Sequence, residues 1–237
     1  MTLTVCTFVV SPFAQNARII ADFQTKKALL IDPGDDVQKI LNWVCDRNLT
    51  VESILLTHCH IDHAGGVKAL LKLMQTRGLP CPKLYYHEFE QVIGNHIQAY
   101  AKSCGFPDGM FENVPKAHSY LDVSKSFNFS NRCLDILFVP GHSPGHVALY
   151  FESESWCFEG DLTIKNCVDT PLLIAGDTLF KGSIGRTDLP GGNHQQLLSS
   201  ISTQLFCLPD HCLVLSGHGP HTSIGFEKKH NPFFNRV

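Results

Sequence analysis

The chain has 237 residues, 43% of them hydrophobic and 17% charged, and its formal net charge is −3 at pH 7. This length and hydrophobic content suffice for one substantial core, and the charge, with no long basic run, argues against nucleic acid as a partner. No stretch reaches the ~20 consecutive apolar residues of a membrane-spanning helix, so we predict no membrane partner.

Apolar spacing in the first half predicts strands that alternate with helices. Strands are predicted at 3–10, 16–21, 28–31 and 83–86, and the apolar run at 54–56 predicts another. Helices are predicted where apolar residues recur every three or four positions, in stripes that start at Val37 and Val67. Gly78 and Pro80 are expected to end the second helix.

The second half continues this alternation without a linker or a repeat. Strands are predicted at 134–139, 147–151, 172–175 and 212–215, and helices at 194–205 and 223–230. Segment 88–121 has a helical pattern followed by Gly-Phe-Pro-Asp-Gly and aromatic residues, and it is either a lid or a packed surface insertion. Segment 158–170 is interpreted as a second insertion, with no function assigned.

The string THCHIDHAGG places four candidate metal ligands within six residues, His58, His60, Asp62 and His63. It directly follows an apolar run, and a strand that stops at such a turn holds the side chains rigidly at a sheet edge. If the chain is still extended there, His58 and His60 project alike and can bind one ion. Asp62 and His63 follow the turn and point towards a second ion.

Three further candidates, His142, Asp177 and His218, each stand alone in a glycine-containing turn after an apolar run. The complete set of five His and two Asp suits zinc, manganese or ferrous iron. One tetrahedral ion takes only about four ligands, so the surplus predicts two ions roughly 3.5–4 Å apart, joined by a carboxylate. Asp177 is the better bridge, because Asp62 lies beside His63. The alternative is a set of surface or capping residues.

These motifs resemble the metallo-β-lactamase superfamily, and longer strings narrow the resemblance. THCHIDHAGG, PGHSPGHVALY, AGDTLFKGSIGRTDLPGG and SGHGPHTSIGFEKKHNPFF resemble the glyoxalase II (hydroxyacylglutathione hydrolase) family, in particular its short bacterial form without a C-terminal helical domain. The resemblance implies an α/β fold, an αββα sandwich of two mixed sheets flanked by helices. It covers nearly the whole chain and implies a single domain over 1–237.

The resemblance also implies a ligand set and a reaction. It implies one ion on His58, His60 and His142, a second on Asp62, His63 and His218, and Asp177 as the bridge, with Asp62 and Asp177 as the catalytic carboxylates. The implied cofactors are two divalent ions, zinc first, with iron or manganese as alternatives. The implied reaction is hydrolysis of a thioester such as S-D-lactoylglutathione by a metal-bridging hydroxide, so the expected partner is a small glutathione conjugate. No oligomeric state is predicted.

Two cations after the bridging Asp, Lys181 and Arg186, are the candidate substrate-binding residues. Cations at this place would hold the carboxylates of a glutathione moiety. The alternatives are solvated loop charges, or an internal pair between Arg186 and Asp188. The family's usual Lys and Tyr contacts appear here as Arg186 and Asp188, a departure that affects the glutathione pocket.

Three residues are candidates for supporting the ligands. Asp32, in Ile-Asp-Pro-Gly, is either an acceptor behind a metal-binding His, as in the family, or an Asx-turn residue. Thr57 either bonds the ligand turn or finishes its strand. His146 either supports the site or packs a turn.

Ten cysteines without C-x-x-C pairs predict reduced thiols, and the side chain of Cys59 should point away from the ligands on either side of it. The first ten residues have no basic segment before an apolar one, so no signal peptide is expected. The predicted compartment is therefore the cytoplasm.

Two other functional readings remain open. A persulfide dioxygenase-like enzyme would hold one iron on His58, His142 and Asp177, because THCH and GRTD resemble that family too. A non-catalytic binding module is disfavoured by the intact ligand set. A β-lactamase is disfavoured because Asp177 stands where zinc lactamases of the best-known type carry Cys.

Overall fold

The protein consists of two structural units, each of which contains β-strands and helices. The computed structural model describes residues 2–161 and 163–234. Its N-terminal unit comprises Leu3–Leu121 and Cys157–Thr163, and its C-terminal unit comprises Thr2, Asp122–Trp156 and 164–234. The mixed strand pairing and the flanking helices agree with the predicted fold class, whereas the single domain over 1–237 stays a prediction.

The sheet of the N-terminal unit brings the carboxyl ends of parallel strands to one edge. Its strands, in spatial and sequence order, are β1 (Thr2–Val10), β2 (Gln15–Asp22), β3 (Lys27–Ile31), β4 (Thr50–Leu55), β5 (Lys83–Tyr86) and β6 (Ser119–Tyr120). The first three pair antiparallel, and β3 to β6 pair parallel. The residues that follow β3, β4 and β5 therefore lie at the same edge.

Helices pack against this sheet, and two of them, α1 and α3, lie where the sequence predicts helices. The α-helices are α1 (Val37–Asp46), α2 (Ile61–Ala64), α3 (Val67–Thr76), α4 (Gln91–Gly94) and α5 (Ile97–Ser103). Ile40 and Val44 of α1 share one hydrophobic core with Leu70 and Met74 of α3. Each fully buried side chain of this kind contributes roughly 1.5–3 kcal/mol, so the core holds the strand ends in place.

A tight turn after β3 packs directly on the loop that carries the ligand cluster. Asp32 is left-handed, with φ 50°, and Gly34 N donates to Asp32 O at 2.8 Å. A Cβ on Gly34 would lie 1.6 Å from Asp62 O, and one on Gly66 would lie 2.5 Å from Pro33 O. At both places an added Cβ would overlap a backbone atom of the other segment, so only glycine fits.

Strands of the C-terminal unit also pair in both directions. The strands that begin in it are β7 (Phe127–Phe129), β8 (Arg132–Phe138), β9 (Val147–Glu159), β10 (Cys167–Gly176), β11 (Leu179–Phe180), β12 (Ser183–Ile184), β13 (Leu213–Ser216) and β14 (Thr222–Ser223). Strands β10 and β13 pair parallel, and the other neighbours pair antiparallel in the order β14-β13-β10-β9-β8-β7. Strands β11 and β12 form a separate hairpin.

Both predicted helices of this unit are present, and each begins at a side-chain cap. They are α6 (His194–Ser200), which continues as the π-helical segment Ile201–Leu205, and α7 (Ile224–His230). Asn193 accepts from Gln196 N at 3.0 Å, and Ser223 accepts from Phe226 N at 3.3 Å. Such caps satisfy backbone donors that the first helical turn leaves without a partner.

Segment 158–170, interpreted as an insertion, lies at the ends of two strands that are longer than predicted. Strand β9 ends within it at Glu159 and β10 begins within it at Cys167, and Trp156 pairs with Cys167, so the segment closes a β-hairpin whose strands extend beyond the predicted ones. Trp156 is buried and its Nε1 donates to Thr170 O at 2.8 Å, which stabilises the extension. Leu162 lies outside the described residues.

Segment 88–121 packs tightly on the N-terminal unit. Phe111 is 1% exposed, and its ring centroid lies 5.1 Å from that of Phe106 and 6.3 Å from that of Phe13. Tyr86 OH donates to Pro115 O at 3.1 Å. These contacts match the packed-insertion alternative, and a lid function stays a prediction.

Two further observations concern the whole described chain. Across residues 2–161 and 163–234, no helix combines the length and the apolar character needed to cross a bilayer. All ten cysteines are free thiols, as predicted.

The contact between the turn after β3 and α2 makes a stability prediction. Replacing Gly34 with Ala should lower the free energy of unfolding by about 3 kcal/mol, because the new Cβ would displace the backbone of Asp62. Gly78→Ala is the matched control, since Gly78 has φ 66° with no atom within 4 Å of a Cβ, and it should cost only about 1 kcal/mol. Urea unfolding of the metal-free variants measures both values. Equal losses would contradict the backbone contact.

Candidate metal centre

The ligand cluster of the N-terminal unit lies at the edge where the parallel strands β3 and β4 end. Asp32 follows β3 directly, and its N–H donates to Leu55 O of β4 at 3.1 Å. His58 and His60 come after β4 and before α2, whereas Asp62 and the adjacent His63 stand within α2. The division of the cluster by the turn is therefore as predicted.

The buried Asp32 carboxylate is the acceptor that organises this loop. Its Oδ1 accepts from Thr57 N at 2.7 Å, and its Oδ2 accepts from Thr57 Oγ1 at 2.6 Å and from His63 Nδ1 at 2.9 Å. Hydrogen bonds to an ionised acceptor are shorter and stronger than those between neutral groups. Of the two predicted alternatives, the acceptor behind a histidine is observed, and Thr57 bonds the ligand turn.

These hydrogen bonds determine which nitrogen each imidazole can offer to a metal. A carboxylate only accepts, so His63 carries its proton on Nδ1 and offers Nε2. His58 Nδ1 lies 3.1 Å from Thr57 Oγ1, whose own proton goes to Asp32, so His58 is likewise protonated on Nδ1. Asp32 thus orients two candidate ligands, one directly and one through Thr57.

The candidate ligand side chains of this loop lie close to one another. The ring centroid of His58 lies 4.7 Å from that of His60 and 4.1 Å from that of His63, and His63 Nε2 lies 3.8 Å from Asp62 Oδ2. Two ligands on a tetrahedral ion with bonds of ~2.0–2.2 Å lie roughly 3.3–3.6 Å apart. Imidazole with carboxylate is also the donor set that zinc, iron and manganese accept, so these residues fit such an ion.

Glu90 supports the same loop and was given no role by the sequence analysis. Its carboxylate is fully buried, and Oε2 accepts from Cys59 N at 2.7 Å. The Cys59 side chain is buried in the hydrophobic core, as predicted. Burial, and then the charges of Glu90 and Asp32, raise the pKa of the Cys59 thiol well above its usual value, so it stays a neutral thiol. In the sequence, Glu90 is only an acidic residue shortly after a predicted strand, and many exposed acidic residues stand in the same pattern.

In the C-terminal unit, Asp177 and His218 follow two neighbouring parallel strands, β10 and β13. Gly217 N donates to Gly176 O at 2.7 Å, which joins the two turns. Asp177 Oδ2 lies 3.4 Å from His218 Nε2 and 3.8 Å from His142 Nε2. One carboxylate oxygen therefore lies close to two imidazole nitrogens, an arrangement suited to a ligand that bridges two ions.

Main-chain groups hold His142 and Asp177 in this arrangement. His142 Nδ1 donates to Arg186 O at 2.8 Å and so offers Nε2 to a metal. A Cβ on Gly185 would lie 1.9 Å from Asp177 O, so only glycine lets this chain segment pass. Asp177 N donates to His146 Nε2 at 3.0 Å, a contact that matches the supporting alternative for His146.

The two predicted substrate-binding cations lie in and after the β11–β12 hairpin. Arg186 forms a bidentate ion pair with Asp188, with both distances 2.7 Å, and these hydrogen bonds lower the pKa of the Asp188 carboxyl to about 2. This is the internal pair that the sequence analysis kept as an alternative. Lys181 Nζ lies 6.0 Å from the ring centroid of Phe226. A substrate role for either cation stays a prediction.

The predicted ligands coincide with the candidate ligands of the structure. Within the described part of the chain, groups of three or more His, Cys, Asp or Glu residues that could hold a metal draw on seven residues: His58, His60, Asp62, His63, His142, Asp177 and His218. These are the seven residues that the sequence predicts. Their distribution between ions stays a prediction.

Known proteins resemble this chain over almost its whole length. The model of the metallo-beta-lactamase superfamily matches residues 10–170. A probable metallo-hydrolase of Bacillus subtilis, YqgX, is 38% identical over 228 residues, 95% of each chain. The hydroxyacylglutathione hydrolase GloC of Haemophilus influenzae is 33% identical over 232 residues, again 95% of each chain.

Solved structures confirm the predicted fold. BLEG-1, described as a B3 metallo-beta-lactamase, aligns with TM-score 0.80 and 32% identity over 98% of this chain and 100% of its own. TTHA1623, in a di-iron-bound form, aligns with TM-score 0.74 and 29% identity over 96% and 98%. ETHE1 from Myxococcus xanthus aligns with TM-score 0.67 and 26% identity over 95% and 82%.

The bonds of Asp32 predict a loss of metal affinity on mutation. Asp32→Asn keeps the size of the side chain but removes the negative charge and one acceptor, so metal affinity should fall about 10–100-fold. Competition with a zinc-chelating indicator measures the change. Asp35→Asn is the matched control, because Asp35 is a partly buried acid of the same turn that bonds only Asp36 N among the contacts described. Equal affinities of both variants and wild type would show that Asp32 does not orient ligands.

Proposed function

The chain belongs to the metallo-beta-lactamase superfamily, and we propose that it is a dinuclear hydrolase of thioesters such as S-D-lactoylglutathione and other S-2-hydroxyacylglutathiones. The names of the similar proteins YqgX and GloC support a metallo-hydrolase, and the dinuclear state and the substrate are the further part of the proposal. The observation that carries it is Asp177 Oδ2, 3.4 Å from His218 Nε2 and 3.8 Å from His142 Nε2. The 33% identity with GloC supports the choice of substrate.

The proposed distribution of ligands has each ion on three side chains plus a shared carboxylate. One ion binds His58, His60 and His142, the other binds Asp62, His63 and His218, and Asp177 bridges them. The spacing within the N-terminal loop supports this division, because the ring centroid of His58 lies 4.7 Å from that of His60, and His63 Nε2 lies 3.8 Å from Asp62 Oδ2. The ions are zinc in this proposal, with iron or manganese as alternatives; the di-iron form of TTHA1623 supports keeping iron.

The reaction needs no nucleophilic side chain from the protein. When bound, two such ions acidify a water between them and polarise the thioester carbonyl. Asp62 and Asp177 act as the catalytic carboxylates, since they hold the ions and can accept a hydrogen bond from the attacking water. The departing thiolate needs no proton donor, because a free thiol has a pKa of only about 8.5.

The orientation of the histidines is the contribution of this chain that can be derived from its own contacts. Asp32 holds the Nδ1 proton of His63, and Arg186 O holds that of His142. Each imidazole therefore presents Nε2 without having to turn, so little rearrangement accompanies metal binding or turnover. Glutathione carboxylates would bind Lys181 and Arg186, with Arg186 exchanging its partner Asp188 for the substrate.

If Arg186 exchanges its partner Asp188 for the substrate, its mutation should change the kinetics. Arg186→Gln should raise KM for S-D-lactoylglutathione about tenfold with little change in kcat, because one charged hydrogen-bond partner is lost while the main-chain oxygen stays. Asp188→Asn is the matched control, and it should leave KM equal or lower because it releases the guanidinium. Initial rates over a range of substrate concentrations separate the two parameters. If neither variant alters KM, Arg186 only pairs within its loop.

Hydrolysis of S-D-lactoylglutathione by the metal-loaded protein is the direct test of the proposed function. We expect saturable loss of thioester absorbance that a chelator abolishes and added metal restores. Asp177→Ala should remove the bridge, so at least one ion per chain and more than about 99% of the rate should be lost. Asp122→Ala is the control, because Asp122 is an exposed acid bonded to Ser124 and Lys125. A variant at Asp177 with two ions and full activity would refute the bridging assignment.

The resemblance of THCH and GRTD to the persulfide dioxygenase family supports a second candidate, an oxygen-consuming enzyme that oxidises persulfides. It would use one iron on His58, His142 and Asp177, a triad that leaves positions open for oxygen. The iron-loaded protein, given glutathione persulfide in an oxygen electrode, distinguishes the candidates. Oxygen uptake without thioester hydrolysis would replace the proposed function, and thioester hydrolysis without oxygen uptake would support it.

Hydrolysis of a chromogenic β-lactam but of no thioester would instead favour the reaction that the name of BLEG-1 indicates.

A further inference from the structure

We infer that Glu90 is a positioning residue of the metal centre, whose buried carboxylate fixes the peptide between His58 and Cys59 and thereby the directions of His58 and His60. The inference rests on the proposed function, because it takes both histidines as ligands. It concerns a residue outside the ligand set, in segment 88–121.

The burial of Glu90 is the first observation. Its side chain is fully buried, and Oε2 accepts from Cys59 N at 2.7 Å. Taking a carboxylate out of water is costly unless it is hydrogen-bonded, so hydrophobic packing does not explain an acid at this position. The contact reaches across 31 residues to the one residue that separates two candidate ligands.

After β4 ends, the chain is held first by a backbone hydrogen bond to β5 and then by the side chain of Glu90. Leu56 N donates to Tyr85 O of β5 at 2.9 Å, and Thr57 N then donates to Asp32. Cys59 N, two residues further on, donates to Glu90. The segment thus keeps buried backbone partners after the sheet has ended, and these bonds fix its path towards α2.

The acceptor itself is held rigidly. Glu90 ends a 3₁₀ turn, Glu88–Glu90, that begins directly after β5 and His87. Glu90 N donates to His87 O at 2.9 Å, and His87 Nδ1 accepts from Phe89 N at 3.3 Å. A carboxylate on such a short, capped turn has little freedom to move, as orienting a ligand requires.

Segment 88–121 also contacts the other end of the ligand loop. Glu112 N donates to Gly65 O at 3.2 Å, and a Cβ on Gly65 would lie 2.6 Å from Phe111 Cδ1. Gly94 leaves room for Cys59, whose Cβ would lie 3.6 Å from a Cβ at position 94. The segment that the sequence offers as a lid therefore supports the metal-binding loop at both of its ends.

The test compares an isosteric variant without an acceptor, Glu90→Met, with Glu90→Gln, whose amide oxygen can still accept from Cys59 N. Glu112→Gln is the matched control, because Glu112 belongs to the same segment but pairs with Lys68 and Lys72 at the surface. Each folded protein is titrated with Co²⁺ against a competing chelator, and its visible absorption spectrum is recorded. Glu90→Met should bind Co²⁺ about 10–100-fold more weakly with altered ligand-field bands, and the other two should stay within about threefold of wild type.

A folded Glu90→Met with wild-type affinity and spectrum would overturn the inference. If Glu90→Met does not fold, Glu90→Asp decides, since its shorter side chain withdraws the acceptor: weaker Co²⁺ binding supports the inference and wild-type binding overturns it. These readouts need no substrate. Failure to hydrolyse the thioester would therefore refute the proposed function without affecting the result for Glu90, and failure to bind Co²⁺ by wild type would refute both.

Discussion

A single buried carboxylate, that of Asp32, constrains the first ligand loop. It accepts from a backbone N–H and a hydroxyl of Thr57 and from the imidazole of His63, so strand, turn and ligand share one acceptor. The carboxylate of Asp32 orients the histidines of the loop. In turn, the donors of the loop compensate the buried charge of Asp32, which would be strongly destabilising without partners. The left-handed φ of Asp32 and the glycine at 34 follow from this mutual requirement, since they bring the turn against α2.

The two units hold their candidate ligands by different means at comparable places, the ends of strands. In the N-terminal unit buried side chains, Asp32 and Glu90, extend the support of the sheet to residues beyond its last backbone pair. In the C-terminal unit the support comes from the main chain of Arg186 and from the ring of His146. Both arrangements restrict rotation of the ligands before any ion binds, which favours a site of defined geometry over a flexible one.

Much of the fold and all seven candidate ligands could be predicted from the sequence, because apolar periodicity and ligand spacing are local signals. Glu90 could not, since its role depends on a contact across 31 residues and its surroundings in the sequence resemble those of any surface acid. The extension of β9 and β10 was missed for a related reason: the length of a hairpin depends on cross-strand pairs such as Trp156 with Cys167, not on hydrophobicity along one strand. For Asp32 the residue type allowed two interpretations, and only the position of His63 decides between them.

The hydrogen bond from His142 to Arg186 has an evolutionary consequence. Its acceptor is a main-chain oxygen, which every amino acid supplies, so position 186 can change its side chain while the bond to the histidine persists. The neighbouring Gly185 has no such freedom, because any side chain would meet the backbone of Asp177. Single substitutions at position 186 can therefore change the charge of this loop without removing the hydrogen bond to His142. In this way, substrate preference can change by gradual mutation while the metal-binding residues stay in place.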